Sequence, residues 1–153
     1  MEFKEYMKLA MRTNPDGKDF KDNILNGLLG LYGELIEYSS SDSVNGVEEL
    51  GDAYWYLALL CDTMDIVPEG VSTNNHILLY VASLSEHFKK HFFQGHNLGV
   101  AYVSTLLSSI KAELDCIASH ISSPEEVMRL NIEKLKKRFP NGFEVEKSIN
   151  RDV

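Results

Sequence analysis

The sequence predicts an all-α protein, a helical bundle of five to six helices. Apolar residues recur every three or four positions along six segments, and helix-start and helix-stop residues separate these segments. No segment alternates apolar and polar residues as a half-buried strand does. The length of 153 residues is that of one domain, so residues 1–153 are expected to share a single core.

Six helices are expected in chain order. Their approximate ranges are 2–12, 23–40, 46–65, 74–93, 98–121 and 124 to just before Pro140. Asp22 is expected to cap the second helix, and Asn45 with Glu48 is expected to begin the third. Ser123 has the position of an N-cap for the sixth helix, with Pro124 at its first position.

The order of elements repeats, since the second and third helices are echoed by the fourth and fifth. On this register Glu37 corresponds to Glu86. The acidic residues Glu34, Glu49 and Asp52 fall on Ser83, Ser104 and Leu107. Two explanations stay open: a duplicated helix hairpin whose second copy lost its acids, or two hairpins with convergent patterning.

Two acidic pairs stand out against this helical pattern. Glu49 and Asp52 precede an uncharged run at 53–61, and on a helix they lie within about 60° of each other on the apolar side. Glu34 and Glu37 repeat the same spacing on the preceding helix. Two antiparallel helices joined by a short loop would bring the four carboxylates together.

Four converging carboxylates require a cation, because an isolated buried carboxylate costs several kcal/mol. Ligands that are all oxygen atoms favour a hard divalent ion, Mg²⁺ with Mn²⁺ as a possibility, over zinc or copper. Without an ion, mutual repulsion of the carboxylates is expected to destabilise the fold. Removal of the Asp52 charge should relieve that repulsion.

Composition excludes several function classes. A net charge of -8 argues against a nucleic-acid partner, which would call for a basic face. No run approaches the ~18 apolar residues of a membrane span, and the first residues lack the apolar core of a signal peptide. Cys61 and Cys116 lie within apolar helical patterns and are expected to be reduced packing residues. We therefore expect a cytoplasmic protein without a membrane partner.

The acidic pairs and the C-terminal segment together resemble one family, the MazG-like all-α nucleoside triphosphate pyrophosphohydrolases, which include dimeric dUTPases. The family's E-x-x-E and E-x-x-D signature stands here as Glu34, Glu37, Glu49 and Asp52, and the run GDAYWY at 51–56 is similar to family wording. The segment NIEKLKKRFPNGF at 131–143 resembles the family's C-terminal segment. The resemblance covers nearly the whole chain and is weakest from about 72 to 120.

The resemblance implies hydrolysis of a (deoxy)nucleoside triphosphate to the monophosphate and pyrophosphate, a reaction used for nucleotide pool control. Glu34, Glu37, Glu49 and Asp52 would hold one or more Mg²⁺ ions, and a water activated by the metal would attack the α-phosphorus. Glu37 or Glu49 would take the proton of that water. The phosphates would be bound by Asn131, Lys134 and Arg138.

Family members are typically dimers or tetramers, so a homo-oligomer is expected. The residues also allow a second function, a non-catalytic helical protein of the same fold that binds nucleotide or acts as a scaffold. An intact set of four carboxylates favours the hydrolase. The preferred base and sugar do not follow from the sequence.

Overall fold

The computed structural model describes residues 1–70 and 76–151, apart from the side chains of Ser43 and Val44. Its elements are α1 (Phe3–Ala10), a 3₁₀ turn (Met11–Thr13), α2 (Phe20–Ser40), α3 (Ser43–Met64), α4 (Ile77–Gln94), α5 (Val100–Ile121), α6 (Pro124–Arg138) and α7 (Val145–Ile149). The described residues contain no strand beyond an isolated bridge from Pro140 to Gly142. The expected all-α bundle is confirmed, and the expected start of the fourth helix at about 74 lies outside the described residues.

Aspartates just outside two helices set where they begin. The N-cap of α2 is Asp19, whose carboxylate accepts a hydrogen bond from the Asp22 amide at 2.8 Å, so the expectation that Asp22 caps this helix is wrong. Similarly, Asp42 accepts from the Asn45 amide at 2.9 Å, and α3 begins before Asn45. In both cases another acceptor three residues upstream satisfies the amide and extends the helix by a turn.

The cap of α6 follows the sequence expectation. The Ser123 hydroxyl accepts a hydrogen bond from the Glu126 amide at 3.1 Å, and Pro124 occupies the first turn. At the other end Gly142 turns the chain with φ of +94°, which leads to the short helix α7. This last helix is an element that the periodicity did not predict, because five residues are too few to show a helical period.

The helix α3 lies at the centre of the bundle and packs against α1, α2, α5 and α6. Its residues from Leu57 to Cys61 are all buried, as the uncharged run predicts. The largest fully buried side chains belong to five helices: Tyr6, Ile24, Leu31, Leu50, Tyr54, Leu57, Leu59, Leu60, Leu84, Phe88, Leu107 and Ile110. Cys61 and Cys116 are both free thiols. Among the described helices, none combines the length and apolar character that a membrane span needs.

A glycine allows α2 and α3 to approach closely. A Cβ atom built on Gly30 would lie 2.2 Å from the Tyr56 ring, far inside van der Waals contact. The Tyr56 ring therefore occupies the place of the missing side chain. The next glycine on the same helix, Gly33, has nothing within 4 Å of such an atom.

We expect Gly30→Ala to lower the free energy of unfolding by about 1–3 kcal/mol, because the ring of Tyr56 must move out of a packed contact. Gly33→Ala is the matched control on the same helix. It should raise stability by up to about 1 kcal/mol, since alanine is the better helix former and meets no neighbour. Chemical denaturation of both variants measures the difference, and equal stabilities would contradict the close packing.

An apolar groove of about 400 Å³ runs between α2 and α4, and large side chains beside it are exposed. Leu29 is 74%, Tyr32 55% and Phe93 62% exposed. Exposed apolar surface of this kind is typical of an interaction site. We propose that a second copy of the chain covers it.

Light scattering at micromolar concentration should therefore find a dimer or larger assembly. Leu29→Glu should shift the protein towards the monomer, because a carboxylate would be buried unpaired at the contact. Arg129→Glu, on the exposed side of α6, is the control and should leave the assembly unchanged. A monomeric wild-type protein would contradict the proposal.

Candidate metal centre

Three carboxylates converge where α2 and α3 pack together. One oxygen each from Glu34, Glu49 and Asp52 lies within 4.8 Å of the others, and all three side chains are half-buried. This set could hold a metal ion. Glu37, which the sequence places with them, is exposed and lies outside this set of three.

Within the cluster, the ionised form of Glu34 is strongly disfavoured. Burial, the charge of Asp52 and a hydrogen bond with Glu49 raise its pKa to about 8, and the charges of Glu37 and Glu49 add to the shift. One of its oxygens, Oε2, is buried without a hydrogen-bond partner among the described residues. A buried oxygen with no donor costs free energy, so this position fits a cation or a proton.

Asp52 is stabilised by two side chains from α6. The Lys134 ammonium donates to Oδ1 at 2.5 Å, and the Asn131 amide donates to the same oxygen at 2.9 Å. Lys134 also reaches Glu48 at 3.3 Å. The charge of Asp52 is therefore compensated within the protein, whereas that of Glu34 is not.

The orientation of Asn131 is set by Tyr6. The Tyr6 hydroxyl donates to the side-chain oxygen Oδ1 of Asn131 at 2.8 Å. The side-chain NH₂ group of Asn131 therefore faces Asp52. Gly51 makes room for this contact, since a Cβ there would lie 3.0 Å from the Asn131 Cβ. Tyr6 is completely buried, and burial followed by the Asp52 charge raises its pKa. It therefore acts as a hydrogen-bond donor.

The α6 residues also line an open cleft of about 390 Å³ next to the carboxylates. Its walls include Glu48, Gly51, Asn131, Lys134, Lys137 and Arg138. The sequence-predicted phosphate ligands Asn131, Lys134 and Arg138 thus share one cleft. Asn131 is buried and already bonded to Asp52, while Arg138 is partly exposed.

Some residues of this site were not predicted from the sequence. Tyr6 looked like an ordinary core position, because its ring follows the apolar period of α1. Lys137 belongs to a run of basic residues at a helix end, where cations also serve the helix dipole. Only the packing of α1 and α6 on α3 distinguishes these residues from their neighbours.

Comparisons with protein-family models, with curated proteins and with solved structures give no match. Membership of the MazG-like family therefore stays a prediction based on the signature residues. The geometry of the carboxylates and the cleft stands independently of that resemblance.

The raised pKa of Glu34 predicts how stability depends on pH in a chelator. The folded protein holds this proton up to about pH 8, whereas the unfolded chain loses it near 4.5, so stability should fall as pH rises between these values. The loss should be roughly 1–3 kcal/mol, because the half-exposed group is partly screened by solvent. Glu34→Gln should abolish this fall.

Added Mg²⁺ should restore stability to the wild-type protein by mass action and do less for Glu34→Gln. Glu37→Gln is the control, since this exposed residue lies one turn away; it should keep the Mg²⁺ effect and most of the pH effect, because its charge is a lesser cause of the Glu34 shift. Thermal melts from pH 5 to 9, with and without Mg²⁺, measure all of these quantities. A wild-type protein whose stability does not change with either variable would contradict the site.

Proposed function

We propose that the chain is a metal-dependent hydrolase that converts a nucleoside triphosphate and water into the monophosphate and pyrophosphate. The observation that carries this proposal is the three-carboxylate cluster next to a cleft with three cations. Acidic ligands for a divalent ion and basic ligands for phosphate are the two things that cleavage of a phosphoanhydride requires. The cleft also has the size of a small-molecule site.

The donor set fits a hard cation. Glu34, Glu49 and Asp52 offer only carboxylate oxygens, which favours Mg²⁺ or Mn²⁺. The Oε2 of Glu34 is buried without a hydrogen-bond partner among the described residues, and a bound cation would satisfy it. When bound, the ion would lower the pKa of a nearby water and neutralise charge on the phosphate oxygens.

The protein's own groups then have separate tasks. The water oxygen forms a bond to the α-phosphorus, the bond from that phosphorus to the α,β-bridging oxygen breaks, and its electron pair leaves with pyrophosphate. A carboxylate accepts the proton of the water. Glu37 is the first candidate. It is near enough to Glu34 for its charge to raise the pKa of that residue, and it lies outside the cluster of three, so its carboxylate is not used as a metal ligand. Glu49 is the second candidate.

Lys134 lies between the carboxylates and the cleft. Its ammonium is paired with Asp52 and also reaches Glu48, and its three N–H donors allow it to exchange one of these carboxylates for a phosphate oxygen. An ion bound at Asp52 would favour this exchange by competing for the same oxygen. Arg138 lines the cleft without a carboxylate partner among the described residues, so its fork of donors is available for an anion.

A panel of NTPs and dNTPs should therefore release pyrophosphate in Mg²⁺ or Mn²⁺, and a chelator should abolish the reaction. Glu49→Gln should lose most of the activity, because it removes one of the converging charges. Glu86→Gln is the control, an exposed glutamate at the position on α4 that corresponds to Glu37. If no nucleotide is hydrolysed although nucleotides bind, the non-catalytic function is the correct one.

Arg138→Ala should lower kcat/KM by about tenfold to a hundredfold. This factor corresponds to the loss of one charge-assisted contact, which contributes roughly 1.5–3 kcal/mol. The effect should lie mainly in KM, and the stabilisation by Mg²⁺ should persist. Lys136→Ala, an exposed cation on the same helix outside the cleft, is the control. Equal kinetics in the two variants would remove Arg138 from the site.

A further inference from the structure

A second, smaller cavity adjoins the cleft at the end of α6. Its volume is about 160 Å³, and its lining residues are Lys137, Arg138, Pro140, Lys147, Asn150 and Arg151. Four of these six are cations and none is acidic. We call this cavity the basic pocket. Lys137 and Arg138 line both the basic pocket and the larger cleft, so the two cavities are neighbours.

The turn after α6 brings together cations from the end of α6 and from the segment around α7. Phe139 is buried and packs on Phe143 with ring centroids 5.4 Å apart. Gly142, with its positive φ, reverses the chain between them. The C-terminal segment therefore returns over the end of α6, and Lys147 and Arg151, four residues apart, reach the same cavity as Lys137 and Arg138.

The charge of the basic pocket is only partly compensated. Lys147 pairs with Glu144 at 2.8 Å. Among the described residues, Lys137 and Arg138 make no ion pair, and the one hydrogen bond of Arg151 goes to the Ser148 carbonyl at 3.3 Å. In a chain of net charge -8, this concentration of cations is an exception to the overall balance. Cations held around one cavity repel one another unless an anion binds between them.

Size and position restrict the anion. Sites for whole drug-sized ligands start at about 300 Å³, so 160 Å³ suits a group of one or two phosphates and excludes a nucleoside. The cleft links the basic pocket to the carboxylate cluster, because Lys134 lines the cleft and pairs with Asp52, while Arg138 lines both cavities.

We propose that the basic pocket binds the two terminal phosphates of the substrate and, after cleavage, the pyrophosphate, with Lys147 and Arg151 as additional anion ligands. This inference rests on the proposed function, since it assigns the leaving group to the cavity that shares Lys137 and Arg138 with the cleft. Cations there would stabilise the charge that develops on the leaving oxygens. A guanidinium can bind two phosphate oxygens at once, and the lysines act as point charges.

The probe for this pocket is inorganic pyrophosphate, titrated calorimetrically in chelator so that no ion bound at the carboxylates contributes. Wild type should bind it, more weakly at higher salt. Lys147→Ala with Arg151→Ala should weaken binding by tenfold or more. Lys147→Arg with Arg151→Lys should retain most of the affinity. Lys89→Ala with Lys90→Ala, which removes two cations on α4 outside the basic pocket, should retain all of it. Circular dichroism checks that each variant is folded.

The same variants are assayed with nucleoside triphosphates in Mg²⁺. The alanine pair should raise KM and the inhibition constant of pyrophosphate together, by similar factors. If pyrophosphate binds the alanine pair as tightly as wild type, or does not bind wild type at millimolar concentration, the proposal is wrong even where nucleotides are hydrolysed. If pyrophosphate binding depends on Lys147 and Arg151 but no nucleotide is hydrolysed, the anion site stands and the proposed function fails.

Discussion

The close contact between α2 and α3 is the constraint on which the rest of the site depends. The Tyr56 ring occupies the space that a side chain at residue 30 would need, so this ring of α3 packs directly on the backbone of α2. One turn further along α2, Glu34 is forced towards Glu49 and Asp52. Packing that stabilises the core thus brings like charges together, and the pKa of about 8 at Glu34 records the cost.

The protein compensates this cost at Asp52 but not at Glu34. Asp52 receives a lysine and an asparagine from α6, and Tyr6 fixes the asparagine in the orientation that donates. Glu34 has no cation beside it among the described residues: it shares a hydrogen bond with Glu49, and its Oε2 has no partner there. A divalent ion bound here would have to displace a proton from Glu34 and compete with the ammonium of Lys134, so its affinity would depend on pH and on the position of Lys134. Because Lys134 also lines the cleft, this competition would couple such an ion to an anion in the cleft.

The sequence predicts the parts of this arrangement that depend on helical periodicity. The pairs Glu34 and Glu37, and Glu49 and Asp52, were found because residues three apart share a helix face. Periodicity does not say how far a residue lies from the centre of that face. The exposure of Glu37 could therefore not be predicted from its spacing. The helix starts at Asp19 and Asp42 were missed because neighbouring acidic and polar residues are equally good caps in isolation. Lys147 and Arg151 could not be assigned at all, since their position depends on a turn after α6 that only tertiary packing fixes.

The second hairpin of the bundle indicates why the carboxylates are present. The helices α4 and α5 also pack against each other, less extensively than α2 and α3, yet the positions that correspond to Glu34, Glu49 and Asp52 hold Ser83, Ser104 and Leu107. Ser83 and Ser104 are half-buried and Leu107 is buried, so these places accept neutral side chains in a stable helix pair. Acids are therefore not needed to build such a hairpin. Residues that break a local packing rule without a structural gain are concentrated at functional sites, and this contrast between two hairpins of one chain is an argument for function at the first that does not depend on any resemblance.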